Sequence, residues 1–155
     1  MSRHWLLCLA VMMVGCSENR PSQIGVADGR LAACPDSPNC VSSQSTDRRH
    51  AIDPLRYDET AEEARKRLIE AVSGMKRVRI VVAGERYLHA EFTSALFRFV
   101  DDAEFLLDDG TKTIHVRSAS RVGYSDLGVN RRRVEEIRTR FTNPFPKQIN
   151  RKEIQ

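Results

Sequence analysis

Val78-Arg79-Ile80-Val81-Val82-Ala83-Gly84-Glu85-Arg86-Tyr87-Leu88-His89-Ala90-Glu91-Phe92-Thr93 decides the fold, because it reads as two β-rich runs folded back on one another. In the second run Leu88, Ala90 and Phe92 alternate with Tyr87, His89, Glu91 and Thr93, which gives one apolar and one polar face. Gly84-Glu85 fits a two-residue hairpin turn with glycine first. Downstream, 97–107 and 113–122 read as two more strands around the turn signal Asp108-Asp109-Gly110, so the sheet is expected to be an antiparallel meander.

Helices bracket these strands. Thr60-Ala61-Glu62-Glu63 has the form of a capping box, in which the Thr60 hydroxyl and the Glu63 carboxylate each satisfy an orphan amide at a helix start. Ala61, Ala64, Leu68, Ala71 and Val72 then recur on one face while Glu62, Arg65, Lys66 and Glu70 cover the other, and Gly74 suits the stop. That helix is packing rather than chemistry. A closing helix around 131–141 puts Val134, Ile137 and Phe141 at helical spacing behind Asn130 as N-cap. Residues 51–55 add a short leading edge strand, where Pro54 is tolerated. The expected architecture is a two-layer α+β domain of order α-β-β-β-β-α, with two helices on a four- to five-stranded antiparallel sheet. No internal repeat is present, and the tail over 142–155, interrupted by Pro144 and Pro146, reads as irregular.

The N-terminal end carries a different message. Arg3 and His4 precede an apolar run from Trp5 to Val14, too short to span the roughly 30 Å hydrocarbon core of a bilayer. It reads as a signal-peptide core over 1–15. The run ends in Met13-Val14-Gly15-Cys16, which resembles a lipobox, with Met13 in place of the more usual Leu and Cys16 as the residue that would carry palmitate-type acyl chains. The alternative is a plain secretory leader with an incidental Cys16. By resemblance to diderm lipoproteins, Ser17 rather than Asp favours onward sorting to the outer membrane, facing the periplasm. Residues 16–33 hold few large apolar groups and read as a lipidated start and flexible tether, with a single domain over 34–141. In the oxidising envelope Cys34 and Cys40 are expected to form a disulfide, although a zinc site completed by His50 is the functional alternative. A net charge of +4 with Lys and Arg interspersed among 21 acidic residues does not point to nucleic acid. The partners expected are the membrane, through the lipid, and an anionic small molecule or envelope protein. Oligomeric state is not legible, and no cofactor is indicated.

Three blocks carry a family resemblance. Cys34-Pro35-Asp36-Ser37-Pro38-Asn39-Cys40-Val41-Ser42-Ser43-Gln44 is the first, and Ala90-Glu91-Phe92-Thr93-Ser94 with Phe99-Val100-Asp101-Asp102 the second. The third is Arg117-Ser118-Ala119-Ser120-Arg121-Val122-Gly123-Tyr124-Ser125-Asp126-Leu127-Gly128-Val129-Asn130-Arg131-Arg132-Arg133. Together they resemble the bacterial domain-of-unknown-function family numbered 1499 over roughly residues 31–141. The resemblance implies one domain and no particular activity.

Read physically, the third block offers a site. Arg117, Arg121 and Arg131, with Ser118, Ser120 and Asn130 as hydrogen-bond donors, would converge on an anionic ligand if the last strand ends beside the helix start. The competing reading pairs these arginines with Glu91, Asp101, Asp102 and Asp126 in a structural ion network. In that case Arg121→Ala costs stability rather than ligand binding. A third reading makes them a patch facing an anionic leaflet. An enzyme would recruit His115, Ser118, Ser120, Tyr124 and Asp126, but an odd step places His115 and Ser118 on opposite strand faces and no nucleophile elbow is present. His89 and Glu91 share a face without a ligand pattern. The role expected is that of an uncharacterised envelope lipoprotein binding an anionic ligand or partner, the alternatives being a structural or assembly-supporting protein and an uncharacterised enzyme.

Overall fold

The structure, a computed structural model, describes residues 24–143. The expected leader over 1–15, Cys16, the tether before 24 and the tail beyond 143 lie outside the described residues. Helix α1 spans Ala61–Ser73 and is nucleated as its sequence requires: Thr60 Oγ1 accepts from the Glu63 amide at 3.3 Å and Glu63 Oε2 from the Thr60 amide at 3.1 Å. Thr60→Ala removes one side of that box and is expected to cost about 1 kcal/mol, read as a lower urea midpoint at unchanged slope.

The elements before α1 are β1 (Val26–Ala27), β2 (Arg30–Leu31), β3 (Cys40–Ser42) and β4 (Leu55–Arg56). After it come β5 (Val78–Ala83), β6 (Tyr87–Thr93), β7 (Val100–Asp108), β8 (Thr113–Ser120) and helix α2 (Val129–Thr142). The fold is α+β. Strands β5 to β8 form the expected antiparallel meander, in spatial order β3-β8-β7-β6-β5, with β4 also on β8. The main sheet therefore has six strands rather than four or five. The extra one arises because β3 and β4 divide a single edge: Cys40 pairs with Ala119 at one end of β8 and Leu55 with Ile114 at the other. The Cys34–Cys40 disulfide delivers the chain to that edge. With both sulfurs bonded to each other, the zinc alternative is closed, and His50 Nδ1 instead sits 2.9 Å from the Cys40 carbonyl.

Both helices lie on one face of the sheet. Leu68 and Val72 of α1 and Val134, Ile137 and Phe141 of α2 close over Leu88, Ala90, Ala103, Phe105, Leu107, Ile114 and Val116. Burial of each large apolar side chain here stabilises the fold by about 1.5–3 kcal/mol. Three local expectations are corrected. The β5–β6 reversal is centred on Glu85-Arg86, with Ala83 opposite Leu88, because a bulge between Ile80 and Val82 shifts the register. Strand β7 starts only at Val100, leaving Phe97 and Phe99 in a loop. Helix α2 begins before Asn130, which lies inside it; Asp126 takes the amides of Gly128 at 2.9 Å and Asn130 at 2.7 Å.

Upstream of Cys34 the chain forms a short hairpin of β1 and β2. Asp28 and Gly29 both hold positive φ, 51° and 71°, and reverse the chain between β1 and β2 as a two-residue turn. The resulting hairpin lies on the sheet face opposite the helices, where the Gly25 amide donates to Glu104 Oε1 at 2.7 Å and Leu31 is buried.

Candidate functional site

Strand alternation sends Tyr87, His89 and Glu91 of β6, Asp102 and Glu104 of β7, and Arg117 of β8 to the face under the hairpin, with Arg121 just beyond the strand. Pairing of β6 with β7 and of β7 with β8 then sets His89, Glu104 and Arg117 in one row across the sheet. Asp102 is fully buried and accepts a two-pronged contact from Arg121, Nε to Oδ2 and Nη2 to Oδ1, both at 2.8 Å. His89 Nε2 lies 2.8 Å from the same carboxylate. Burial alone would raise the Asp102 pKa, but the hydrogen bonds from Arg121 and His89 outweigh it and hold the group below the ordinary carboxylate range. Arg121 also reaches Glu91 at 2.5 Å, and Glu91 is met from outside by Arg79.

Glu104, likewise fully buried, accepts from Arg117 Nη1 at 3.0 Å and from the Tyr87 hydroxyl at 2.7 Å. Burial, and then that carboxylate, push the Tyr87 phenol well above its usual value. Arg117 and Arg121 are thus matched by acids.

The other residues of the expected site lie across the sheet from these two. Ser118 donates to Asn130 Oδ1 at 2.6 Å, and Asn130 Nδ2 donates to Ser120 Oγ and to the Asn39 carbonyl, each at 3.0 Å. Arg133 joins Ser118 at 3.1 Å and Asp101 at 2.6 Å, with its guanidinium carbon 4.7 Å from the centre of the Phe92 ring. Arg131 turns outward to the Arg49 carbonyl at 3.2 Å. The six residues expected to share one ligand are therefore divided by the sheet itself, and Asp126 already occupies the start of α2. His115 and Ser118 point to opposite faces: His115 Nδ1 is 3.4 Å from Ser43 Oγ, and burial lowers its pKa. Tyr124 projects into solvent.

A different arrangement of cations is open. Where the end of α1, the start of β5, the end of β6 and the outer side of α2 meet, a cleft of ≈ 680 Å³ is lined by Lys76, Arg77, Arg132, Arg133 and Arg140 against only Asp101 and Glu136. Arg133 holds Asp101 at 2.6 Å and Arg140 holds Glu136 at 2.9 Å. Arg77 Nε donates to the Thr93 carbonyl at 3.1 Å and Arg132 Nη1 to that of Leu127 at 2.9 Å, so both are held by neutral acceptors and neither forms an ion pair among the described residues. Lys76 is exposed beside them.

The family model described as Protein of unknown function (DUF1499) matches residues 30–141. The chain belongs to this family. No curated protein and no solved structure matches it. The DUF1499 match runs from β2 to the last turn of α2, and so takes in the whole main sheet, the acid–base face and the cleft. In this DUF1499 chain Arg132 and Arg133 of the cleft belong to the arginine run of the third block, whereas Lys76 and Arg77 stand outside every motif. Lys76-Arg77 falls between the helix stop at Gly74 and the strand from Val78 and carries no motif; Arg77 takes a positive φ of 55° and lines the cleft with the α2 arginines.

Proposed function

We propose that this DUF1499 chain is an envelope lipoprotein, acylated at Cys16, whose domain binds an anionic group in the cleft of Lys76, Arg77 and Arg132. The observation that carries the reading is the charge balance of that cleft. On the opposite sheet face Arg117 and Arg121 meet carboxylates, whereas Lys76, Arg77 and Arg132 have no acid within ion-pair distance among the described residues. Guanidinium groups held by backbone carbonyls are pre-positioned, so little side-chain entropy is lost when an anion arrives. The leader and the Met13-Val14-Gly15-Cys16 stretch support the envelope location and a membrane partner through the lipid.

Titration of the full chain with pyrophosphate, followed by calorimetry at low and moderate salt, tests the cleft. Binding is expected, weakening as salt rises, and lost by at least about tenfold in Arg77→Glu/Arg132→Glu with the melting temperature preserved. Absence of binding by phosphate, pyrophosphate and anionic lipid alike would remove the reading and leave a structural or assembly-supporting role.

A further inference from the structure

Two loops leave the sheet at the end next to this cleft, and both present large apolar side chains to water. In the β6–β7 loop Leu96 is 79% exposed, Phe97 69% and Phe99 51%; in the β8–α2 loop Tyr124 is 76% exposed and Leu127 84%. The two loops are neighbours, since Thr93 pairs with Val100 and the Arg121 amide donates to the Val100 carbonyl at 3.2 Å. Thr93, Ser94 and Ala95 of the first and Val129 after the second line the cationic cleft. Apolar tip and cationic collar are one continuous surface.

The tip is built rather than loose. Ser94 closes the first loop twice, its amide donating to the Phe99 carbonyl at 2.8 Å and its hydroxyl accepting the Phe99 amide at 2.9 Å. The Phe97 and Phe99 rings stack with centroids 5.5 Å apart. Asn39 Nδ2 ties down the Gly123 carbonyl at 2.6 Å, and Asp126 fixes the far end of the second loop. Arg98 and Leu127 sit at positive φ, 54° and 53°, a region that bulky L residues seldom occupy and that persists where the surroundings enforce it. An exposed apolar patch rimmed by charge marks a contact surface.

We infer that this end of the domain docks on an anionic bilayer, with Leu96, Phe97, Phe99 and Leu127 entering the interface and Lys76, Arg77, Arg98 and Arg132 at the phosphate level. The inference rests on the cleft reading above and names its anion as a lipid headgroup. Two exposed apolar loops beside a cationic cleft match the gradient of a leaflet, apolar at depth and anionic at its surface, and aromatic rings are at home at that boundary. Chain length agrees: seven residues, 17–23, separate Cys16 from Ile24, a reach of at most about 29 Å, which keeps an acylated chain beside its membrane.

The single tryptophan, Trp5, makes a clean test possible. The full chain carrying Trp5→Phe and Phe97→Trp is mixed with vesicles of phosphatidylcholine alone or with phosphatidylglycerol, each containing acyl-brominated lipid. Severalfold quenching of the indole in the anionic vesicles is expected, little in the neutral ones, and loss of the effect on adding Arg77→Glu/Arg132→Glu. A reporter at Val82→Trp, on the edge strand, should stay unquenched. Equal quenching in both vesicle types, or at both reporters, overturns the inference. Pyrophosphate binding without quenching at the tip overturns the bilayer and leaves the cleft; failure of both overturns the two together.

Discussion

Glu104→Leu is expected to destabilise the domain by about 3–5 kcal/mol at neutral pH, because it strands a buried guanidinium. Arg117 is 4% exposed, its Nη1 has Glu104 as ion-pair partner, and its Nε already lacks a hydrogen-bond partner. The same change leaves the Tyr87 hydroxyl and the Gly25 amide without their acceptor, so the N-terminal hairpin should loosen as well. Urea unfolding gives the first number, and limited proteolysis near residue 25 the second. The double variant Glu104→Leu/Arg117→Met should recover most of the loss, since replacing both members of a buried pair by apolar groups of similar size is often neutral. A single variant within about 0.5 kcal/mol of the parent would show that the pair is solvated in solution.

Arg121→Ala is expected to cost a similar amount, about 3–5 kcal/mol, and to change the sign of one pH dependence. In the parent, Asp102 and Glu91 both titrate below the ordinary range. For each, burial opposes the shift and the arginine hydrogen bonds prevail. A depressed carboxylate contributes stability that is present above its unfolded value, roughly 4, and is lost as pH falls through the folded value. Without Arg121, burial of Asp102 is opposed only by His89, and its pKa should rise. Its contribution then reverses, present at low pH and lost as pH climbs. The stability gap between parent and variant should be widest near pH 7 and should narrow below about pH 4. A gap independent of pH would mean that Arg121 acts through packing alone. Arg121→Lys, which keeps the charge but not the fork, should fall between the two.

The parts of the fold legible in sequence were those with strong periodicity or fixed local chemistry. Thr60 and Glu63 announced the first helix, and Leu88, Ala90 and Phe92 announced the core face of β6. Short elements were not legible. Strand β3 is three residues at the end of a turn-rich cysteine loop, and its pairing depends on β8, about 75 residues away. The N-terminal hairpin turns on Asp28-Gly29, but the few large apolar residues around that pair gave no strand pattern to flank it.

Polarity was the more instructive case. Tyr87, His89 and Glu91 alternate correctly, yet polar did not mean wet, because Asp102, Glu104, Arg117 and Arg121 supply complementary charges from neighbouring strands. The readable trace of that network is acid at alternate positions of one strand, Asp102 and Glu104, and arginine four residues apart, Arg117 in the next strand and Arg121 just past its end. Conversely, Phe97 and Phe99 read as the start of the strand over 97–107, while in the structure they lie in an exposed loop before it. The cleft was not legible either, since Arg77 comes beside Arg132 of α2 only through the fold.

The hairpin of β1 and β2 also determines how the domain would bear force. Tension on the N-terminal end enters at Ile24 and meets a two-by-two-residue ladder before it meets the main sheet. Such a ladder opens bond by bond, like a zip, whereas the long β7–β8 pairing must yield over eight residue pairs. Under pulling, the hairpin would peel first and admit water to Glu104 and Arg117 while the helix-covered core remained shut. The acid–base face would then act as a mechanical fuse, yielding at modest tension and re-forming once the load is removed.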